Sequence, residues 1–339
     1  MLRRRSVPLR QPTDLPPELR AALGAGIDSP PSARTDELVQ YLARVCGDTT
    51  VALVHYGSHA QLSDARPESA HDFFVVVDSY RDAYRSLAQH GAAHFRPTVA
   101  TLLNHVLPPN VIRLAVPGSL PPLEAKCAVY SLTDFRRFAS DRAKDHFALG
   151  RLFQHVQLAW TRDRESRETI IDSLIGARIA TFAWGRAYLP PRCDVDAYWR
   201  VLLETSFAAE IRPEGNERVD ALLAAHRATM VPVYTALLDR LADQRILGRQ
   251  GKVYTISGTA GRWSKFRAAM YFRRSKARAT ARWLKYIALY EGWLEYILKK
   301  IARRSGASVE LTERERRWPL IFLWPKALRF LRSRPQRRS

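Results

Sequence analysis

Two short apolar runs, "VALVHY" at 51–56 and "DFFVVV" at 72–77, stand on either side of a Gly57-Ser58 turn. Both are short and rich in β-branched residues, so they predict buried strands rather than helices. The connection between them carries glycine, a hydroxyl and an aspartate that opens the second run. These residues suit a phosphate-and-metal site on a small sheet, and they equally suit an ordinary loop between two strands.

The surrounding pattern fills out the sheet. "TDELVQYLARV" at 35–45 sets Leu38, Tyr41, Leu42 and Val45 on one face of a helix. "SYRDAYRSLAQHG" has helical spacing at Tyr80, Tyr84 and Leu87, stops at Gly91, and takes Asp78 as its N-cap. "NVIRLAV", introduced by Pro108-Pro109, and "AKCAVYSL" read as further strands. The order helix, strand, turn, strand, helix, strand, strand predicts a small mixed α/β domain over about 35–135.

After Leu132 the segments "TDFRRFASDR", "DHFALGRLFQHVQLAW", "RESRETIIDSLIGARIATFAW", "DAYWRVLLETSFAAE" and "ERVDALLAAHRATMVPVYTALLDRLADQ" all read as helices. "RILGRQGKVYTI" is a candidate hairpin and suits a winged-helix-like subdomain. Trp283, Ile287, Tyr290, Leu294, Ile297 and Ile301 form an apolar stripe at helical spacing. The fold expected is α+β: an N-terminal nucleotidyltransferase-like mixed sheet with helices, a mostly helical winged-helix-like domain, and a basic amphipathic C-terminal tail. The boundaries expected are a poorly ordered, Pro/Arg-rich lead-in at 1–34, then 35–160, 161–305 and 306–339.

Charge is uneven. Of a net +21, residues 251–339 hold 23 Lys/Arg against 5 Asp/Glu, whereas residues 1–250 hold 31 against 28. The C-terminal region therefore calls for an anionic partner, either lipid head groups or nucleic acid. "RRWPLIFLWPKALRFLRSRPQRRS" mixes Trp318, Phe322, Trp324 and Phe330 with arginines, as a segment lying in a membrane interface does. No nucleic-acid motif accompanies it, so lipid ranks above RNA or DNA. No secretory signal opens the sequence, no apolar run reaches membrane-spanning length, and Cys46, Cys127 and Cys193 lack paired spacing. The expectation is a cytoplasmic protein peripheral to the inner face of the membrane.

In the turn, Gly57 lets backbone approach a phosphate and Ser58 adds a hydroxyl. A carboxylate on the next strand can hold Mg²⁺. A strand ending in Gly-Ser, a loop, and a strand opening with Asp resemble the layout of polymerase-beta-like nucleotidyltransferases. That superfamily has two aspartates one residue apart. Here Asp72 fills one position, and Ala70 or Phe74 stands at the other. Glu124 is the candidate second metal ligand, two residues before Lys126 and on the same strand face.

"YGSHAQ", "DFFVVVDSYRDAYRSL", "LPPNVIRL", "AKCAVYSLTDFRRF", "GRLFQHVQLAWTRD" and "EGWLEYILKKIARRSGASVELT", in this order over about 50–312, resemble the mitochondrial-type phosphatidate cytidylyltransferases and their bacterial relatives. These are also called translocator assembly and maintenance proteins. The resemblance implies that CTP and phosphatidic acid are joined to give CDP-diacylglycerol and pyrophosphate with Mg²⁺. It assigns Gly57, Ser58 and Asn110 to CTP, Asp72 to the metal, and Lys126 and Arg151 to the phosphates. The chain departs from the family at His59, His155, Ala302 and Arg304. Two alternatives stay open: another phosphorylated acceptor, or a relative that binds lipid or nucleic acid without catalysis. Whether the chain forms a homo-oligomer is also open.

Overall fold

The computed structural model describes residues 12–62, 69–93, 95–210, 215–256, 261–289 and 312–314. Two units divide the chain, Met1–Leu289 and Tyr290–Ser339. In the second, Thr312–Arg314 are the described residues, so the basic tail and the stripe beyond Leu289 lie outside them.

The first unit begins with α1 (Pro17–Gly24), α2 (Ala33–Cys46), β1 (Thr50–Tyr56), the four-residue α3 (Ser58–Gln61) and β2 (His71–Val77). Next come α4 (Tyr80–Gln89), α5 (Pro97–Val106), β3 (Asn110–Ala115), β4 (Glu124–Ser131) and α6 (Leu132–Phe138). The short α7 (Leu149–Leu152) leads into β5 (Gln157–Thr161) and the long α8 (Arg164–Gly185). β6 (Arg192–Cys193), α9 (Val195–Ala208), α10 (Asn216–Asp243), β7 (Leu247–Gln250), β8 (Val253–Ile256) and α11 (Arg262–Leu289) complete the unit.

The architecture is mixed α and β around a five-stranded sheet of order β3-β4-β2-β1-β5. β1 and β2 pair antiparallel, as do β1 with β5 and β3 with β4, while β2 and β4 run parallel. The two apolar runs are the neighbouring strands β2 and β1, buried because helices cover both faces. Side-chain alternation sends Phe73, Val75 and Val77 to a core shared with α2, α4 and α5. It sends Phe74 and Val76 to a larger core shared with α6 to α10. A second, three-stranded sheet has the order β6-β8-β7. The hairpin anticipated at 245–256 is there, and β6 adds a strand that the sequence reading missed.

Helix starts follow side-chain chemistry. Ser32, Ser79, Ser131, Asp163 and Asp194 each accept a hydrogen bond from a backbone N–H in the first turn of the helix they cap. Asp78 is therefore not the cap of α4; Ser79 is, and Asp78 instead accepts from Arg162 Nη1 at 2.5 Å.

Three segments differ from expectation. "DHFALGRLFQHVQLAW" is not one helix: α7 breaks after one turn, and Gln157–Thr161 pairs with β1 as an edge strand. The helix α5 is not among the expected elements, and its apolar positions Val99, Leu102 and Val106 are exposed. Within the lead-in, α1 places Leu23 and nearby Ile27 fully inside the core. Their four-residue spacing with Leu15 and Leu19 is diluted by prolines in the sequence.

Among the described residues one helix, α10, is long and apolar enough to cross a bilayer. Its Val219, Leu222, Met230, Val233, Tyr234, Leu237, Leu238 and Leu241 are buried in the larger core.

Candidate functional site

The end of β1 and the start of β2 lie side by side, with Tyr56 opposite Asp72 in the antiparallel register. Gly57 follows in the left-handed region at φ +81°. A β-carbon there would stand 2.6 Å from Asp72 Oδ2, so the carboxylate rests directly against the glycine backbone. Ser58 then opens α3.

Asp72 is also opposite Lys126 in the parallel register of β2 and β4, and Lys126 Nζ sits 3.7 Å from Asp72 Oδ1. The two side chains are 25% and 42% exposed, so the pair opens to solvent. Burial pushes the Asp72 carboxyl above its ordinary range, against the opposing pull of Lys126 and Arg151.

Arg151 reaches this group from α7. Its Nη1 donates to the Phe147 carbonyl at 2.8 Å, and its Nη2 lies 3.1 Å from Glu210 Oε1. Its guanidinium packs over the Phe147 ring at 4.3 Å and faces the Tyr56 ring at 6.0 Å. Burial and the Asp72 charge raise the Tyr56 hydroxyl well above its ordinary value, so it stays neutral. Gly57, Ser58, Asp72, Lys126 and Arg151 thus meet at one end of the sheet. Two cations, each beside a carboxylate, next to a bare backbone turn can bind a phosphorylated ligand through Lys126 and Arg151.

Two anticipated members are elsewhere. Asn110 lies on the opposite face of the sheet, because it alternates in phase with Ile112 and Leu114, which belong to the α2–α4 core. It is 1% exposed, and its Nδ2 donates to Tyr84 Oη and the Ala100 carbonyl, both at 2.8 Å. It is held inside the α2–α4 core and is not brought to the Asp72 side of the sheet. Glu124 keeps the same face as Lys126 but pairs with Arg113 across β3–β4 at 2.8 Å. Its charge is taken up there rather than at Asp72. Among the described residues no group of three or more His, Cys, Asp or Glu could hold a metal. Among the described residues the carboxylates at the site are Asp72, paired with Lys126, and Glu210, paired with Arg151, and these two alone do not make an open Mg²⁺ site.

The sequence reading passed over Tyr56, Phe147 and Glu210, which position Arg151, and a column of histidines behind the turn. His55 and His71 share the α2–α4 face, with His71 Nδ1 3.3 Å from His55 Nε2. The His59 ring stacks on His71 at 3.8 Å, and its Nε2 lies 2.8 Å from the Ser69 carbonyl. The alternation that puts His55 and His71 on one face was visible in the two strands. The stacking of His59 was not, because it depends on how the turn closes.

No model of a known protein family matches this chain, and no curated protein matches it.

Proposed function

We propose that this chain is a nucleotidyltransferase of the phosphatidate cytidylyltransferase type, working at the cytoplasmic surface of a membrane. One observation carries the reading: Gly57, Asp72, Lys126 and Arg151, separated by up to 94 positions in the sequence, converge at one sheet end. The resemblance of six ordered segments supports it, as does the three-stranded sheet beside α9 and α10, which suits a winged-helix-like second domain.

In the proposed reaction a phosphate oxygen of phosphatidic acid attacks the α-phosphorus of CTP. The bond from that phosphorus to the bridging oxygen breaks, and pyrophosphate leaves with the electron pair. No side-chain nucleophile is needed. Lys126 and Arg151 balance the negative charge that grows on the phosphoryl and leaving oxygens. Gly57 lets the triphosphate approach the backbone, and Asp72 fixes the Lys126 ammonium. No step is assigned to a metal held by the protein, because Glu124 is committed to Arg113.

That commitment favours a second reading, a lipid-binding relative of the same fold without catalysis. Labelled CTP incubated with Mg²⁺, phosphatidic acid vesicles and the full chain separates the two. A labelled lipid made by the wild type and absent with Asp72→Asn supports transfer. Vesicle binding without product overturns it in favour of the second reading.

A further inference from the structure

The α11 helix carries nine Lys or Arg and no Asp or Glu over Arg262–Leu289. Its inward side seats Phe272 and Ser275 in the molecule. Arg282 and Arg278 add buried or half-buried bonds to Asp145, at 2.5 and 2.7 Å. These contacts fix which side of the helix faces out.

On that outer side Trp263, Phe266 and Met270 are 70%, 53% and 45% exposed. They stand three and seven positions apart from Trp263, a single stripe on a helix with 3.6 residues per turn. The rings of Trp263 and Phe266 lie 5.4 Å apart and only 20° from parallel, which makes one continuous apolar patch. By the same helical geometry exposed Arg262 and Arg273 run along one edge of the stripe, and exposed Arg267 and Arg274 along the other. An apolar ridge between two rows of guanidinium groups matches one environment: acyl chains under a layer of anionic head groups. Nucleic acid fits less well, since the aromatic rings spend a face on each other and Met270 offers a base neither a stacking plane nor a donor.

We infer that the exposed Trp263–Phe266–Met270 stripe of α11 is a docking surface for an anionic lipid bilayer, with Arg262, Arg267, Arg273 and Arg274 contacting its head groups. This names the membrane-facing surface within the reading proposed above. It is tested by binding rather than by nucleotide transfer, so either can fail alone.

The test uses the full chain with an environment-sensitive fluorophore on Met270→Cys or, as the control on the far side of the helix, Lys265→Cys. The native cysteines are buried and spare the labelling. With vesicles of phosphatidylglycerol and phosphatidylcholine, the probe at 270 shifts to the blue and the probe at 265 does not. Pure phosphatidylcholine gives at least a tenfold weaker response, and so does a roughly threefold rise in salt concentration. Trp263→Ala/Phe266→Ala/Met270→Ala, at exposed positions that leave the fold unchanged by circular dichroism, weakens flotation with anionic vesicles by about tenfold or more. Vesicle binding with a silent probe at 270 overturns the inference and places docking elsewhere in the chain. A probe already blue-shifted without lipid overturns it in favour of a second copy or another segment. Shifting with a short RNA but not with vesicles overturns it in favour of nucleic acid.

Discussion

Gly57 and Asp72 are in contact through an absence: the β-carbon that any other residue would bring to position 57 falls 2.6 Å from Asp72 Oδ2. The glycine is also held at φ +81°, a conformation that side chains rarely adopt. Gly57→Ala therefore combines backbone strain with displacement of the carboxylate. Chemical denaturation is expected to show a loss of about 1–3 kcal/mol. If the chain carries the proposed transfer activity, that activity should fall by far more than the lost folded population explains, because Asp72 is displaced from Lys126. An unaltered rate in the folded variant would remove the turn from the site.

The Asp72–Lys126 pair is half-buried on the Asp72 side and 3.7 Å long, so its value for folding is modest. Lys126→Met is expected to change stability by under about 1 kcal/mol, as partly exposed pairs do. If Lys126 balances phosphoryl charge, the same variant loses about 100-fold or more in kcat. Its measured effect on kcat and on urea midpoint then diverge sharply. A proportionate small loss in both would mark the pair as structural.

Much of this site was legible before the fold. The strands, the turn and the shared face of Glu124 and Lys126 follow from alternation and from β-branched runs, which report local geometry directly; Lys126 standing beside Asp72 depends on the pairing of β2 with β4. Arg151 was legible as a residue type but not in its setting, because Phe147, Glu210 and Tyr56 reach it through tertiary packing. Asn110 entered through the resemblance of "LPPNVIRL", and strand phase turns it into the α2–α4 core. Glu124 was placed on the right face, but nothing in its own strand reveals Arg113 waiting on the neighbouring one. The edge strand β5 was hidden by "QLAWT", whose half-buried residues carry no period-two contrast.

The histidine column gives the chain a pH dependence of definite sign. Burial lowers His55 to about 4 and His71 to about 3, from an ordinary value of 6.5. Both therefore fold as neutral rings, and their contribution to stability is full above 6.5. It is lost as pH falls from 6.5 through the folded values, where protonation favours the unfolded chain. For His55 alone the whole effect is about 3 kcal/mol at most. Urea midpoints measured at steps from pH 7.5 to 4 should decline across that window. His55→Gln should flatten the decline, and an equally steep curve in that variant would assign it to other groups.

Asp145 is a buried charge held by two arginines. It is fully buried, and it takes Arg278 at 2.7 Å and Arg282 at 2.5 Å. Arg282 further donates to the Pro108 carbonyl, at 3.0 Å from Nε and 2.8 Å from Nη2. Asp145 thus ties α11 to the segment between α6 and α7, and Arg282 ties it to the loop that precedes β3. Asp145→Asn keeps the shape and removes the charge, leaving two guanidinium groups without their counter-ion. The expected cost is about 3–5 kcal/mol, the range for breaking a buried pair from one side. Replacing Arg278, which is 19% exposed and can turn towards water, should cost clearly less. Denaturation midpoints rank the two. Equal costs would mean that Arg278, and not Arg282, is the principal partner of Asp145, and that α11 is held chiefly from its solvent side.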